Sequence, residues 1–254
     1  MPCRLRISPS CTLGPKEVMS IAENLQRLEE RIAIAARRAG RDPREISLMA
    51  VTKTVSPERI REAYDAGLRL FGENRVQEFA SKAQVLADLK NTAWHMIGHL
   101  QSNKSRPAAE LFQAVDSVDS LRVLERLNRA AEELGKRMPV LIEINIGGEQ
   151  AKSGVAPDSP ELEQMLTGAP SCDHLQIHGL MTVPPYKDDP EQSRPFFRRM
   201  CALREAIAGR KLPAVQMGSL SIGMSHDFEV AIEEGSTCVR IGTAIFGDRP
   251  REDE

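Results

Sequence analysis

The chain has 254 residues, enough for one large domain or two small ones, and 41% of them are hydrophobic. Its 34 basic and 36 acidic residues leave a formal net charge of -2, which gives no reason to expect nucleic acid or an anionic membrane as a partner. The five cysteines are scattered without a CxxC pair, so we predict no disulfide framework and no zinc site, and a reducing, cytoplasmic compartment is favoured.

Residues 1–17 are predicted to form a disordered leader. No acidic residue occurs before Glu17, and prolines at positions 2, 9 and 15 interrupt any amphipathic helix. An organelle transit peptide and a translation start at Met19 stay open as alternatives. No apolar run approaches the length of a membrane helix, so a membrane association is not expected.

Regular patterning begins with a helix. Apolar residues recur at helical spacing from Val18 to Ala39, and Gly40 follows as a stop signal. This spacing predicts an amphipathic helix that precedes the first strand.

Eight short apolar segments then alternate with helical patterns. The predicted strands cover residues 46–53, 68–74, 93–98, 112–117, 139–146, 175–183, 214–221 and 237–247. Evenly sized repeats of strand and helix are typical of a parallel sheet closed into a TIM (β/α)8 barrel. We therefore predict one α/β domain over residues 18–248, followed by a tail of residues 249–254. An open doubly wound sheet is the alternative, but no GxGxxG turn follows the first strand.

In such a barrel, functional side chains lie at the C-terminal ends of the strands or just beyond them. The residues at these positions are Lys53, Asn74, His99, Asn145, Met181, Ser219, Ser221, Arg240, Gly242 and Thr243. The segments after the seventh and eighth strands are rich in glycine and hydroxyl groups, where barrels often bind phosphate. A lysine opposite a phosphate site is what a Schiff base with a phosphorylated aldehyde requires, and a solvated strand-end lysine is the alternative interpretation of Lys53.

Six segments resemble one known family. AVTK, GENRVQE, WHMIGHLQSNK, GLMTV, LSIGMSHD and VRIGTAIFG, in this order and spacing, resemble the pyridoxal phosphate homeostasis proteins, whose barrel is similar to the N-terminal domain of alanine racemase. The resemblance spans residues 19–248. It implies that Lys53 forms an internal aldimine with pyridoxal 5'-phosphate (PLP). The other residues that it implies contact PLP are Ser221, Gly242 and Thr243 at the phosphate, Arg240 at the pyridine nitrogen, and Asn74, Met181 and Met224 along the cofactor.

The resemblance implies a carrier that holds PLP on Lys53 and supplies it to apo PLP-dependent enzymes without turnover. An arginine facing the pyridine nitrogen keeps that nitrogen unprotonated and discourages carbanion chemistry. We expect this protein to be a cytoplasmic monomer with no catalytic residue.

The alternative is a PLP-dependent amino-acid racemase. A two-base racemase needs a second base on the opposite face of the cofactor. In alanine racemases this base is a tyrosine of a further domain, which the present sequence is expected to lack. Tyr186, in VPPYKDD after the sixth strand, is the residue that would restore this function. A Schiff-base aldolase would use the same amine, but the sequence offers no evident acid–base pair near Lys53.

Overall fold

The computed structural model describes residues 19–149 and 151–247. Eight parallel strands pair in chain order, and the last strand pairs with the first, so the sheet closes into a barrel. The prediction of a TIM (β/α)8 barrel with an extra N-terminal helix is confirmed, and the open doubly wound sheet is excluded. The predicted leader, residues 1–17, and the predicted tail, residues 249–254, lie outside the described residues.

Every predicted strand segment overlaps one strand of the barrel. The strands are β1 Ser47–Val51, β2 Leu70–Glu73, β3 Ala93–Met96, β4 Ala114–Val118, β5 Met138–Glu143, β6 Leu175–Met181, β7 Val215–Met224 and β8 Cys238–Ile241. Two predicted boundaries are wrong in ways that affect the functional face. Strand β7 continues three residues beyond Ser221, because Ile222 is buried in the core and Gly223 allows close contact with the following helix. Strand β8 ends six residues before Gly247, and a short helix begins at Thr243.

The helices lie between the strands and around the barrel. They are α1 Ile21–Arg38, α2 Pro57–Asp65, α3 Val76–Ala83, α4 Ser105–Leu111, α5 Leu121–Glu133, α6 Pro160–Gly168, α7 Arg194–Gly209, α8 Phe228–Glu233 and α9 Thr243–Phe246. Among the described residues, no helix is both long and apolar enough to cross a membrane.

The extra helix α1 supports the part of the barrel that follows β7 and β8. Ser20 and Glu23 form a capping box, in which the Glu23 N–H donates to Ser20 Oγ and the Ser20 N–H donates to the Glu23 carboxylate. The buried stripe of α1 packs against α8 and α9, and Asn24 Nδ2 donates to the Ile245 carbonyl over 3.0 Å. The helix therefore braces the two elements that follow the predicted phosphate-binding loops.

An aromatic cluster packs the helix layer against the outer face of the sheet at β2 and β3. Trp94 stacks on Phe71 with ring centroids 4.7 Å apart, and Phe79 contacts both Trp94 and Phe112. Such contacts are favourable beyond the burial of apolar area alone. They hold α3 and α4 against β2 and β3, which carry two of the loops of the functional face.

Strands β6 and β7 approach each other closely at Gly179. A Cβ atom placed on Gly179 would lie 1.9 Å from the Ser219 carbonyl oxygen, a distance that no real side chain tolerates. The neighbouring Gly218 has open space at the same position. Only glycine at position 179 lets the two strands keep this register.

We expect Gly179→Ala to lower the free energy of unfolding by about 3 kcal/mol or more, because the strands must separate to admit the methyl group. The matched control, Gly218→Ala, should change it by less than about 1 kcal/mol. Urea denaturation of both variants measures the difference. Equal stability of the two proteins would contradict the close approach of β6 and β7.

Candidate functional site

Lys53 lies two residues beyond the end of β1, half-buried in a turn at the C-terminal mouth of the barrel. Pairing of β1 with β8 places Ala50 opposite Ile241. A Cβ atom at Gly242 would lie 3.5 Å from the Val51 carbonyl oxygen, so the turn after β8 touches the end of β1. Barrel closure thus places the end of β1, two residues before Lys53, beside Gly242, the residue before Thr243.

A buried ionic cluster holds the backbone on both sides of Lys53. Lys82, on α3, donates from Nζ to the Thr52 carbonyl over 2.9 Å, to Glu73 Oε1 over 3.0 Å and to Glu78 Oε1 over 2.7 Å. The Thr54 N–H donates to Glu78 Oε1 over 2.6 Å. Sequence reasoning missed this cluster. Its only local signal was the spacing of four residues between Glu78 and Lys82, which is common on exposed helix faces.

Arg240 is a buried cation in the interior of the barrel. Its side chain lies at 4% exposure on β8, with Nη1 donating to the Ser221 carbonyl over 2.6 Å and to Ser221 Oγ over 2.7 Å. Nη2 donates to the Thr182 carbonyl over 2.7 Å. Burial lowers the pKa of Arg240 from its usual value, and the nearby acidic groups of Cys238, Asp116 and Glu143 oppose this shift. The guanidinium is therefore fixed across the ends of β6, β7 and β8.

The structure brings Ser221 to Arg240 and not to the loop at the mouth. Ser221 is fully buried within β7, and its hydroxyl accepts the Arg240 hydrogen bond. The first residue beyond β7 is Ser225, which is partly exposed, and its Oγ accepts from the Ala244 N–H over 3.4 Å. The loops after β7 and β8 therefore meet through Ser225, a residue that the sequence analysis missed because it ended the strand too early.

Two reciprocal hydrogen bonds shape the loop that carries Ser225. The Met224 N–H donates to Asp227 Oδ1 over 2.8 Å, and the Asp227 N–H donates to the Met224 carbonyl over 3.1 Å. This pattern closes a tight turn before α8. It holds Ser225 on the side of the loop that faces α9, beside the exposed side chain of Thr243.

The remaining predicted residues border the interior and the mouth. Asn74 is the first residue after β2 and lines a cleft of about 580 Å3 at the mouth. Met181 ends β6, is fully buried and pairs in register with Ser221. Met224 ends β7 and pairs in register with Arg240. Asn74 is thus on the accessible surface of the mouth, whereas Met181 lies in the layer that contains Arg240 and Ser221.

Glu143 contributes a buried carboxyl group to the same cleft. It ends β5 at 6% exposure, and Oε1 accepts from the Ser153 hydroxyl over 3.0 Å. Oε2 has no hydrogen-bond partner among residues 19–149 and 151–247. Burial raises the pKa of Glu143, partly offset by the Ser153 hydrogen bond. The sequence analysis passed over this residue because it lies within a predicted strand.

Two other candidates serve local structure. The Asn145 amide donates to the Glu149 carbonyl over 2.8 Å and to the Lys152 carbonyl over 3.3 Å, which closes the loop after β5. His99 lies at the mouth, where Nδ1 pairs with Asp119 Oδ2 at 2.8 Å. Asn145 therefore shapes the rim of the cleft, and His99 forms part of its wall.

Tyr186, the residue on which the racemase alternative depends, lies on the surface. Its side chain is 72% exposed, and its ring centroid lies 5.5 Å from that of His226. His226 in turn bonds through Nε2 to the Asp188 carbonyl. These contacts hold the tyrosine against the rim of the loop after β6, and the ring is solvated there.

The comparisons with known proteins agree with this fold. Residues 24–250 match the family model "Alanine racemase, N-terminal domain". The chain is 45% identical over 232 residues to the pyridoxal phosphate homeostasis protein of Pseudomonas aeruginosa, covering 91% of this chain and 96% of that protein. It is 43% identical over 231 residues to the protein of the same name from Aquifex aeolicus, covering 91% of this chain and 99% of that protein.

A solved structure matches along the same length. PipY of Synechococcus elongatus, determined with PLP bound, superposes with a TM-score of 0.78 at 35% sequence identity, covering 90% of this chain and 100% of that chain. Sequence and structure relatives thus agree over nearly their full lengths. The chain belongs to the pyridoxal phosphate homeostasis protein family, which shares the barrel of the alanine racemase N-terminal domain.

Proposed function

We propose that this protein binds PLP as a Schiff base on Lys53 and serves PLP homeostasis and cofactor supply inside the cell without catalytic turnover. The observation that carries the proposal is that barrel closure sets Gly242 against Val51, two residues before Lys53, while Ser225 of the loop after β7 contacts Ala244, next to Thr243. The full-length match to PLP homeostasis proteins and to PLP-bound PipY supports it. Delivery of PLP to apo-enzymes, a monomeric state and a cytoplasmic location are parts of the same proposal.

The residues at the mouth fit the chemical groups of PLP. When bound, PLP supplies an aldehyde that an amine can capture and a ring that withdraws electrons. Lys53 provides the amine, and the hydroxyls of Ser225 and Thr243 provide donors for a phosphate group. Gly242 lacks a side chain that would cover the backbone between them, which suits close approach of an anion. Asn74, Met181 and Met224 would complete the walls of the site.

The environment of Arg240 supports a protein that binds PLP without catalysing a reaction on it. Its guanidinium is fixed by the Ser221 and Thr182 oxygens, and it can donate a hydrogen bond but cannot readily give up a proton. If Arg240 faces the pyridine nitrogen, that nitrogen keeps its lone pair as an acceptor and stays unprotonated. The ring then stabilises a carbanion poorly, as a carrier requires.

The racemase alternative receives no support from the position of Tyr186. A second base must be held close to the reacting carbon, whereas this ring is mostly exposed and lies against His226. Incubation of PLP-loaded protein with each L-amino acid, followed by chiral chromatography over hours, tests the alternative. Formation of D-amino acid beyond one equivalent of protein would overturn the carrier proposal.

We expect Lys53→Ala to abolish covalent capture of PLP at the barrel mouth, because the variant lacks the amine. Borohydride reduction after incubation with PLP, followed by peptide mass spectrometry, locates the modified lysine. Lys90→Ala removes an exposed lysine and is the matched control, which should keep full labelling of Lys53. Unchanged labelling of the Lys53→Ala variant would contradict the assignment of Lys53 as the amine that reacts with PLP.

We expect Ser225→Ala to weaken PLP binding about tenfold, the usual effect of losing one hydrogen bond to a charged group. Ser221→Ala should instead lower the free energy of unfolding by about 1–3 kcal/mol, because buried Arg240 loses an acceptor. Equilibrium dialysis with PLP and urea denaturation separate the two effects. Phosphate binding by Ser221 would produce the reverse pattern, with the larger loss of affinity in Ser221→Ala.

A further inference from the structure

We propose that Lys82, Glu73 and Glu78 position Lys53 for PLP capture by fixing the backbone on both sides of it. We call these three residues the Lys53 clamp. The proposal rests on the proposed function, because it assigns positioning residues to the same amine. The clamp residues lie outside the mouth, in the layer between the β1–β2 edge and α3, so none of them is placed to touch the cofactor.

The clamp contacts the peptide groups that flank Lys53. On the N-terminal side, Lys82 Nζ donates to the Thr52 carbonyl over 2.9 Å, and the Thr52 hydroxyl donates to Glu73 Oε1 over 2.7 Å. On the C-terminal side, Glu78 Oε1 accepts from the Thr54 N–H over 2.6 Å. Lys82 Nζ joins the two sides by donating to both carboxylates. Lys53 is therefore held between two anchored residues.

Backbone strain beside Lys53 shows that the turn needs these contacts. Thr54 has a φ of 62°, in the left-handed region that β-branched residues rarely adopt. Such a conformation persists where the surrounding structure over-determines it, and it is concentrated at functional sites. The hydrogen bond from the strained Thr54 N–H to Glu78 opposes relaxation of this residue from outside the turn. Within the turn, Thr54 Oγ1 donates to the Lys53 carbonyl over 2.6 Å and the Val55 N–H donates to the Thr52 carbonyl over 3.0 Å. Because Lys53 and Thr54 share a peptide unit, relaxation of Thr54 would also redirect Lys53.

The charges of the clamp are arranged to keep Glu78 ionised. Burial opposes the charge on Glu78, but the hydrogen bonds from Lys82 and Thr54 outweigh it and lower the pKa of that carboxyl. Burial raises the pKa of Glu73 against the attraction of Lys82. Glu78 therefore stays an acceptor for the Thr54 N–H, and Lys82 supplies the charge that holds it in place.

A buried ion pair is weak evidence for a contribution to stability, since apolar residues of similar volume often stabilise a protein as well or better. Lys82 is 7% exposed and Glu73 is fully buried, so this cluster carries the full cost of desolvation. Its benefit is directional, because three donors on one ammonium group reach one carbonyl and two carboxylates. Small displacements of a reacting group strongly slow its reaction. A Lys53 amine held in a fixed direction would therefore react faster with the PLP aldehyde.

The experiment compares four variants in the full chain. Lys82→Met removes the ammonium group, Glu78→Ala removes the acceptor for Thr54, and Glu78→Gln keeps an oxygen acceptor in place. Lys136→Met is the control, because Lys136 is a part-buried lysine that, like Lys82, donates to a backbone carbonyl, here that of Phe112, far along the chain from the Lys53 turn. Two measurements are made on each folded variant: amide hydrogen exchange at Thr54, and the rate of reductive PLP labelling at Lys53.

We expect Lys82→Met and Glu78→Ala to accelerate exchange of the Thr54 amide about tenfold, the equivalent of one charge-assisted hydrogen bond, and to slow labelling of Lys53 by a similar factor. Exchange at Val115, in the distant strand β4, should stay as in the parent protein, as should both readouts in Lys136→Met. Glu78→Gln should recover most of both effects.

Each possible result decides the question. Unchanged Thr54 exchange and Lys53 labelling in Lys82→Met would overturn the clamp, and equal losses in Lys136→Met would assign the effect to general destabilisation. If the parent protein fails to capture PLP on Lys53, the proposed function fails. The Thr54 exchange and the labelling of Lys53 by acetic anhydride, which needs no PLP, would then still test whether the clamp orders this turn.

Discussion

Closure of the sheet between β1 and β8 is the constraint on which the site depends. The pairing of Ala50 with Ile241 joins the first and last strands and sets Gly242 against Val51, two residues before Lys53. No contact within one βα unit could do this, because the partners belong to the first and last strands. Helix α1 reinforces the closure from outside through the packing of its buried stripe on α8 and α9. The proposed site therefore depends on closure of the barrel, since an open sheet would separate Lys53 from the loops after β7 and β8.

A second constraint lies inside the barrel, where Arg240 is buried next to Ser221. Its cost of burial is offset by oxygens from β6 and β7 and by the negative charges of Asp116 and Glu143 nearby. Desolvation of the Cys238 thiol, one layer below, raises its pKa to about 12, so this thiol stays protonated. The interior thus holds one fixed cation with its donors directed by the strands. Arg240 and its hydrogen-bond acceptors therefore form a rigid layer beneath the proposed PLP site, and this layer does not depend on the loops.

The sequence predicted the architecture well because eight apolar segments at even spacing leave few folds to choose from. It also predicted that Lys53 lies at the mouth of the barrel, because the C-terminal ends of parallel strands face one side. It failed at the end of β7. The run SIGMS has the small residues of a loop, yet Ile222 is buried and Gly223 packs on α8, so Ser221 lies inside the barrel and Ser225 begins the loop. These residues are buried because α8 packs on them, and the local sequence of β7 does not indicate that contact.

The clamp around Lys53 illustrates a limit of a different kind. Glu78 and Lys82 have the spacing of an ordinary surface ion pair, and nothing in their neighbourhood of the sequence distinguishes them from one. Their role at this turn depends on the packing of α3 over the end of β1. This packing buries Lys82 and gives it Thr52 and Glu73 as further partners. The site is then supported from two sides: Arg240 fixes the layer beneath it from within the barrel, and the clamp fixes the amine from outside the barrel. The proposed carrier function requires an amine held in one direction and a ring environment that resists further chemistry, and these two supports would supply the two conditions separately.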